Sequence, residues 1–294
     1  MEIKQDGARQ EKLRNVLLLL VRLGLWGDRE EHNTRLNLTE EDWNDVFRLA
    51  MQHTVTGLAF QGVSHLPDSQ IPPQSLLVRW MAETDAVERR NKRMNGVLGQ
   101  LYNIFHEKGL NPILQKGQGV ANYYESPLLR VCGDIDLYFN NKKAWDDALD
   151  FLRKNNVTFT KQADEGISYR WQGVDIEHHS RLFDLYNPFL QGFVGKLEGQ
   201  KGYRHTALST YPSVIVITPS PFLDILLQSL HILKHSVSRG IGLRQMCDMA
   251  RSCYKLHGEI DSEEMKAVCK KIGLHRWCPL LHTFLIDYLG LPKD

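Results

Sequence analysis

Apolar residues crowd every side of the stretch from Gln10 to Trp26, which predicts a largely buried helix. Thr39-Glu40-Glu41-Asp42 reads as a helix start, with Thr39 as N-cap and acids in the first turn, and that helix runs to about Gln52. Leu66-Pro67-Asp68 to Pro72-Pro73 is turn-prone. From Gln74 to about Lys108 the spacing of Trp80, Val87, Met94, Leu98, Leu101 and Phe105 predicts a long helix, with Gly109 as its C-cap. The pattern changes at Asn111. Pro112–Leu114, Ile135–Phe139, Val157–Thr160, Ile167–Trp171 and Val174–His178 read as strands, the last two joined as a hairpin at Gly173. Val214–Ile217 is one more apolar run. Short helices are expected over Val120–Glu125 and Lys142–Lys154, the second turning Trp145, Leu149 and Leu152 inward. Helical spacing then returns over Phe222–Ser236, Gly242–His257, Ser262–Lys271 and Arg276–Leu289. Gln191–His205, rich in glycine and charge, is expected to be a mobile loop.

This order of elements predicts an α+β protein. A small mixed-sheet core over 109–218 is flanked by helical regions over 1–108 and 219–294. The 294 residues suffice for a large core, and 42% apolar with 24% charged residues is ordinary for a soluble globular protein. Lys and Arg number 36 against 35 Asp and Glu, which gives no strong nucleic-acid signal. The five cysteines contain no C-x-x-C pair, which argues against a zinc ribbon. Their odd number and the polar start of the chain fit reduced thiols in a cytoplasmic protein. The apolar run Val16–Val21 is too short to span a membrane.

Chemistry concentrates in the predicted core. Asp134 and Asp136 lie one residue apart in Gly133-Asp134-Ile135-Asp136-Leu137, so a strand would point both to one face. Two carboxylates held so close repel unless a cation sits between them, and a hard divalent ion such as Mg²⁺ is the natural partner. A lone D-x-D is common, but Cys132, Ile135, Leu137 and Phe139 make this strand internal, where an unpaired carboxylate is costly. Asp175 and Glu177 share a face in the same way, and Glu177 would bring a third acid from a neighbouring strand. Lys116-Gly117-Gln118-Gly119 lies between a strand and a helix. Glycine there lets the backbone approach a phosphate, and Lys116 supplies a charge; the bland alternative is a turn with a solvated lysine. The Walker spacing is absent, and so is the nucleophile elbow G-x-S-x-G. His231 and His235 have a zinc-compatible spacing on one helical face, but without the HExxH glutamate they read better as cleft-lining or packing residues. Arg130 would contact phosphate or pair with Asp134, and Arg239 and Arg244 are further candidate cleft cations.

Lys116-Gly117, Tyr123-Tyr124, Leu129-Arg130 and Gly133-Asp134-Ile135-Asp136-Leu137 together resemble the K-G…YY…LR…GDIDL signature of an uncharacterised bacterial nucleotidyltransferase family, itself similar to the DNA polymerase β-like superfamily. The resemblance implies that Asp134, Asp136 and Glu177 are catalytic and bind Mg²⁺ or Mn²⁺. It also implies that Lys116, Gly117, Gln118, Arg130 and His179 hold the nucleotide. Arg181 and the tail residues His231, His235 and Asp248 fit the same pattern. One departure stands out: the superfamily turn places Ser or Gly where this chain has Gln118, and a hydroxyl contact to phosphate is lost. The implied activity is transfer of NMP from an NTP to an acceptor hydroxyl, the acceptor being a small molecule, protein or RNA. An idle nucleotide- or partner-binding module on the same fold is an alternative, supported by Gln118. A metal-dependent glycosyltransferase is another, disfavoured by the helical character of 1–108.

Overall fold

In a computed structural model, residues 2–27, 36–162, 165–183, 185, 187–238 and 240–293 are described. Three helices come first: α1 (Glu2–Trp26), α2 (Glu40–Gln52) and α3 (Thr56–Val63). Thr39 and Asp42 form a reciprocal capping box at the start of α2. Helix α3 was not foreseen; its run Thr56–Val63 carries no cap signal and is defined by burial between α1 and α4. Helix α4 (Gln74–Glu107) spans the molecule. Its first half packs with α1–α3, where Trp80 is fully buried, and its second half lies on the sheet through Leu98, Leu101 and Phe105.

The sheet has seven strands: β1 (Ile113–Gln115), β2 (Ile135–Tyr138), β3 (Phe159–Lys161), β4 (Ile167–Trp171), β5 (Val174–His179), β6 (Tyr203–Leu208) and β7 (Tyr211–Pro219). Their order is β3-β4-β5-β2-β1-β7-β6. The pairs β2–β5 and β1–β7 are parallel and the others antiparallel, so the sheet is mixed and the α+β expectation holds. Alternation sorts the central strands cleanly. Leu114, Ile135, Leu137, Ile176 and His178 face a core built with α4 and α6 (Lys142–Lys154). Gln115, Asp136, Glu177 and His179 face the other side, toward α8 (Pro221–Ser238) and α9 (Leu243–Leu256). Helices α10 (Ser262–Lys271) and α11 (Trp277–Leu289) close the C-terminal region.

The loop expected at 191–205 is instead α7 (Pro188–Lys201) followed by β6. Asn187 caps the helix and Pro188 opens it, while Val194 and Leu197 bury one face. A Cβ at Gly192, Gly195 or Gly199 would meet nothing within 4 Å, so these glycines sit on the open face and burial of the opposite face overrides their poor helix propensity. The helix placed at 120–125 begins earlier, as α5 (Gly117–Ala121). Among the described residues no helix is long and apolar enough to cross a membrane. All five cysteines are free.

Candidate active site

A cleft of about 840 Å³ opens between the sheet and helices α8 and α9. That volume is at the large end for small-molecule sites. The parallel register sets Asp136 of β2 directly beside Glu177 of β5, and the antiparallel register sets Gln115 of β1 on the other side of Asp136. Three adjacent strands thus lay Gln115, Asp136 and Glu177 in one row along the cleft floor. His179 follows Glu177 on the same face of β5, two residues on.

Asp136 is almost wholly buried. Its Oδ1 accepts a hydrogen bond from His179 Nε2 at 2.8 Å and lies 3.3 Å from Lys116 Nζ. Burial pushes the carboxyl up, but the Lys116 charge and the His179 hydrogen bond overcome it and hold Asp136 well below the usual carboxylate range. Its Oδ2 has no hydrogen bond among the described residues. Glu177 Oε1 accepts from Gln162 Nε2 at 2.8 Å, while Oε2 lies 3.7 Å from His179 Nε2.

Asp134 is not on the strand but in the irregular segment just before it. That segment is held by Arg90, which donates to the Gly133 carbonyl, and by Arg244, which donates to the Val131 carbonyl. The Asp134 carboxylate has no hydrogen bond or ion pair among the described residues. Burial, and next the charge of Asp136, raise it to about 6. The described group whose ligand atoms lie within 4.8 Å of one another is Asp136, Glu177 and His179, with Asp134 outside it. A carboxylate without a partner, a free oxygen on each of two more, and an imidazole nitrogen between them are donors that suit a divalent cation.

Lys116 bends the chain into the cleft. Its φ is 48° and ψ −140°, a region L-residues seldom enter, and Gly117 follows with φ 43°. Gln118 is corrected by the structure. It begins to turn with α5 and points beneath that helix, with Nε2 3.8 Å from Met94 Sδ, so its side chain does not line the cleft. The missing serine hydroxyl therefore leaves no amide in its place. Arg130 is held by the helix behind it. Nε and Nη2 both donate to Asp248 of α9, at 3.0 and 2.6 Å, and Nη1 to Val131 O. Arg130 lines the cleft and is paired with Asp248 and not with Asp134, because a buried guanidinium needs a buried counter-charge and Asp248 supplies it.

The opposite wall carries His231, Lys234 and His235 of α8 and Arg244 and Gln245 of α9. The ring centroids of His231 and His235 lie 4.4 Å apart, tilted at 57°, and neither belongs to the metal group above. Burial, then the Lys116 charge, keeps His231 neutral at ordinary pH. Arg244 Nε is buried without a partner among the described residues. Arg181 sits at the rim, paired with Glu165 at 2.8 Å. Arg239 lies outside the described residues. Gln115 and Gln162 were missed by sequence reasoning; the strand register marks the first, beside Asp136, and a side-chain hydrogen bond to Glu177 from just past β3 marks the second.

Residues 39–286 match a family described as uncharacterised nucleotidyltransferases. The chain belongs to that family. No curated protein matches it. The solved structure of an antigenic nucleotidyltransferase-like protein from Paracoccidioides brasiliensis aligns with 67% of this chain and 92% of that one, at 14% identity and a TM-score of 0.42. As a nucleotidyltransferase, the enzyme acts on a nucleotide substrate. Its signature residues divide by role in space. Lys116, Asp134 and Asp136 face the cleft. Tyr123 and Tyr124 instead donate to Asp224 and Asp248 at 2.8 and 2.7 Å, and with Arg130 they fasten α8 and α9 to the core.

Proposed function

We propose that this nucleotidyltransferase transfers NMP from an NTP to an acceptor hydroxyl, using Mg²⁺ or Mn²⁺ held by Asp134, Asp136 and Glu177. The observation that carries this reading is the row formed by the β2–β5 register, with Asp136 beside Glu177 and Asp134 unpartnered at the strand's mouth. A bound divalent ion would supply positive charge to the triphosphate oxygens and the attacking oxygen.

The chain's own groups do the rest. Lys116 Nζ, within reach of the cleft floor, holds a phosphate oxygen as a point charge. Gly117 keeps the backbone clear for the triphosphate. His179 fixes Asp136, and Gln162 fixes Glu177, so both carboxylates are oriented before substrate arrives. The acceptor oxygen bonds to the α-phosphorus as the α–β bridging P–O bond breaks, and pyrophosphate leaves with that electron pair. Glu177, the third acid, takes the acceptor's proton.

The test is incubation with α-labelled NTPs, a divalent ion and candidate acceptors, scored for labelled product and pyrophosphate. Asp136→Asn is expected to lower transfer at least about a hundredfold, since a single preorganised contact to developing charge is worth that much. Its melting temperature should fall, because the Lys116 and His179 contacts that hold Asp136 ionised in the folded chain are weakened, so transfer is scored per folded molecule. Full activity in Asp136→Asn would overturn the assignment.

A further inference from the structure

The tight donor set in the cleft is two carboxylates and an imidazole. Asp136, Glu177 and His179 offer ligand atoms within 4.8 Å of one another. His179 turns Nε2 inward, 2.8 Å from Asp136 Oδ1 and 3.7 Å from Glu177 Oε2. Strand alternation fixes this placement, since Glu177 and His179 sit two residues apart on a strand whose intervening His178 is in the core.

A second observation points into the same space. Gln115 is 3% exposed, lines the cleft beside Asp136, and its Nε2 has no partner among the described residues. A buried amide donor left unpaired costs on the order of 1–3 kcal/mol, so its position calls for an acceptor that a ligand brings. Next to an ion, that acceptor is a phosphate oxygen or a water of the ion's shell.

We propose that His179 ligates the divalent ion through Nε2, together with Asp136 and Glu177, and that this nitrogen makes the site favour Mn²⁺ over Mg²⁺. The inference rests on the nucleotidyl-transfer reading above and refines its metal. Mg²⁺ is hard, takes oxygen ligands and keeps its waters. Imidazole suits the first-row transition ions, and a carboxylate-rich set keeps Mn²⁺ in range. Binding an ion would replace the Nε2 proton that bonds Asp136, and in the resulting Nδ1–H tautomer Nε2 carries the lone pair that an ion needs. If His179 were only a hydrogen-bond partner of Asp136, the ion would see oxygen alone.

The test uses the full chain with Mn²⁺ and with Mg²⁺, each titrated calorimetrically, and pulsed electron paramagnetic resonance of the Mn²⁺ complex. The expected spectrum shows coupling to one imidazole nitrogen. In His179→Asn that coupling disappears, Mn²⁺ affinity drops about tenfold or more while Mg²⁺ affinity holds, and the Mn²⁺/Mg²⁺ preference shrinks by the same factor. Mn²⁺ bound without nitrogen coupling in the wild type overturns the inference and leaves the transfer reading standing on an all-oxygen site. Coupling that survives His179→Asn overturns it too and moves the nitrogen elsewhere. Failure to bind either ion, even with a non-hydrolysable NTP present, overturns both. The wild-type spectrum decides the ligand even if the variant does not fold.

Discussion

His178 and His179 adjoin in sequence and differ in everything else. His179 faces the cleft; His178 is fully buried among Phe105, Phe139 and Tyr169, with Tyr169 Oη 2.8 Å from its Nε2. Burial, and after it the His179 charge, lowers His178 to about 3. An unfolded histidine titrates near 6.5, so below that pH the unfolded chain binds a proton that the folded one refuses. This contribution to stability is therefore complete above about pH 6.5 and is lost as pH falls from there toward 3. Between pH 7 and 5 it amounts to about 2 kcal/mol. His178→Gln keeps a partner for Tyr169 and cannot titrate. Urea unfolding at the two pH values should show the variant losing about 2 kcal/mol less than the wild type over that interval. The alternation that separates these two histidines was legible in the sequence, as were Asp136 and Glu177. The direction of Gln118 was not, because it depends on where α5 starts, and helix starts after a glycine turn leave little trace in residue type.

Between elements, α1 and α3 approach backbone to backbone. A Cβ on Gly62 would come within 1.9 Å of Leu20 O, and one on Gly24 within 2.1 Å of Leu58 O. Backbone meets backbone at both points, so no side chain can move aside. Gly62→Ala is expected to destabilise by more than about 1–3 kcal/mol, the usual cost of overpacking. Gly96→Ala is its control. That glycine lies within α4 with nothing inside 4 Å, and alanine there should stabilise by about 0.4–1 kcal/mol. Chemical denaturation of both variants checks the pair, which must move in opposite directions. Helices with strong spacing, such as α4 and α6, were readable from the chain alone. Helices α3 and α7 were not, since glycines weaken their local signal and contacts distant in sequence hold them.

For the whole molecule, α9 is the tie. Asp248 takes Arg130 and Tyr124 from the core side. One turn on, Arg251 is 2% exposed and donates to Leu25 O, Tyr123 O and Glu125, joining α1 to the segment after α5. Helices α1 and α9 are thereby tied to the segment 123–130 that leads into the strand carrying Asp136. Arg130→Met should cost about 3–5 kcal/mol, because it strands the Asp248 charge in a buried place. Thermal melting reads the loss, and Asp248→Asn in the same background should recover part of it. A phosphate-binding arginine would behave otherwise, with nucleotide affinity lost and the melting point kept. Sequence reasoning saw Arg130 as a member of the signature but not its partner, 118 positions away. Spacing along the chain carries no record of a pair that distant.

The backbone at Lys116 has one more consequence. A non-glycine residue at φ 48° and ψ −140° sits where glycine would rest without strain, at a cost of about 1–3 kcal/mol. Glycine at 116 would make a sturdier protein with no ammonium over the acids. At this residue durability and reactivity pull apart, and the chain gives up durability where its nucleotide would lie.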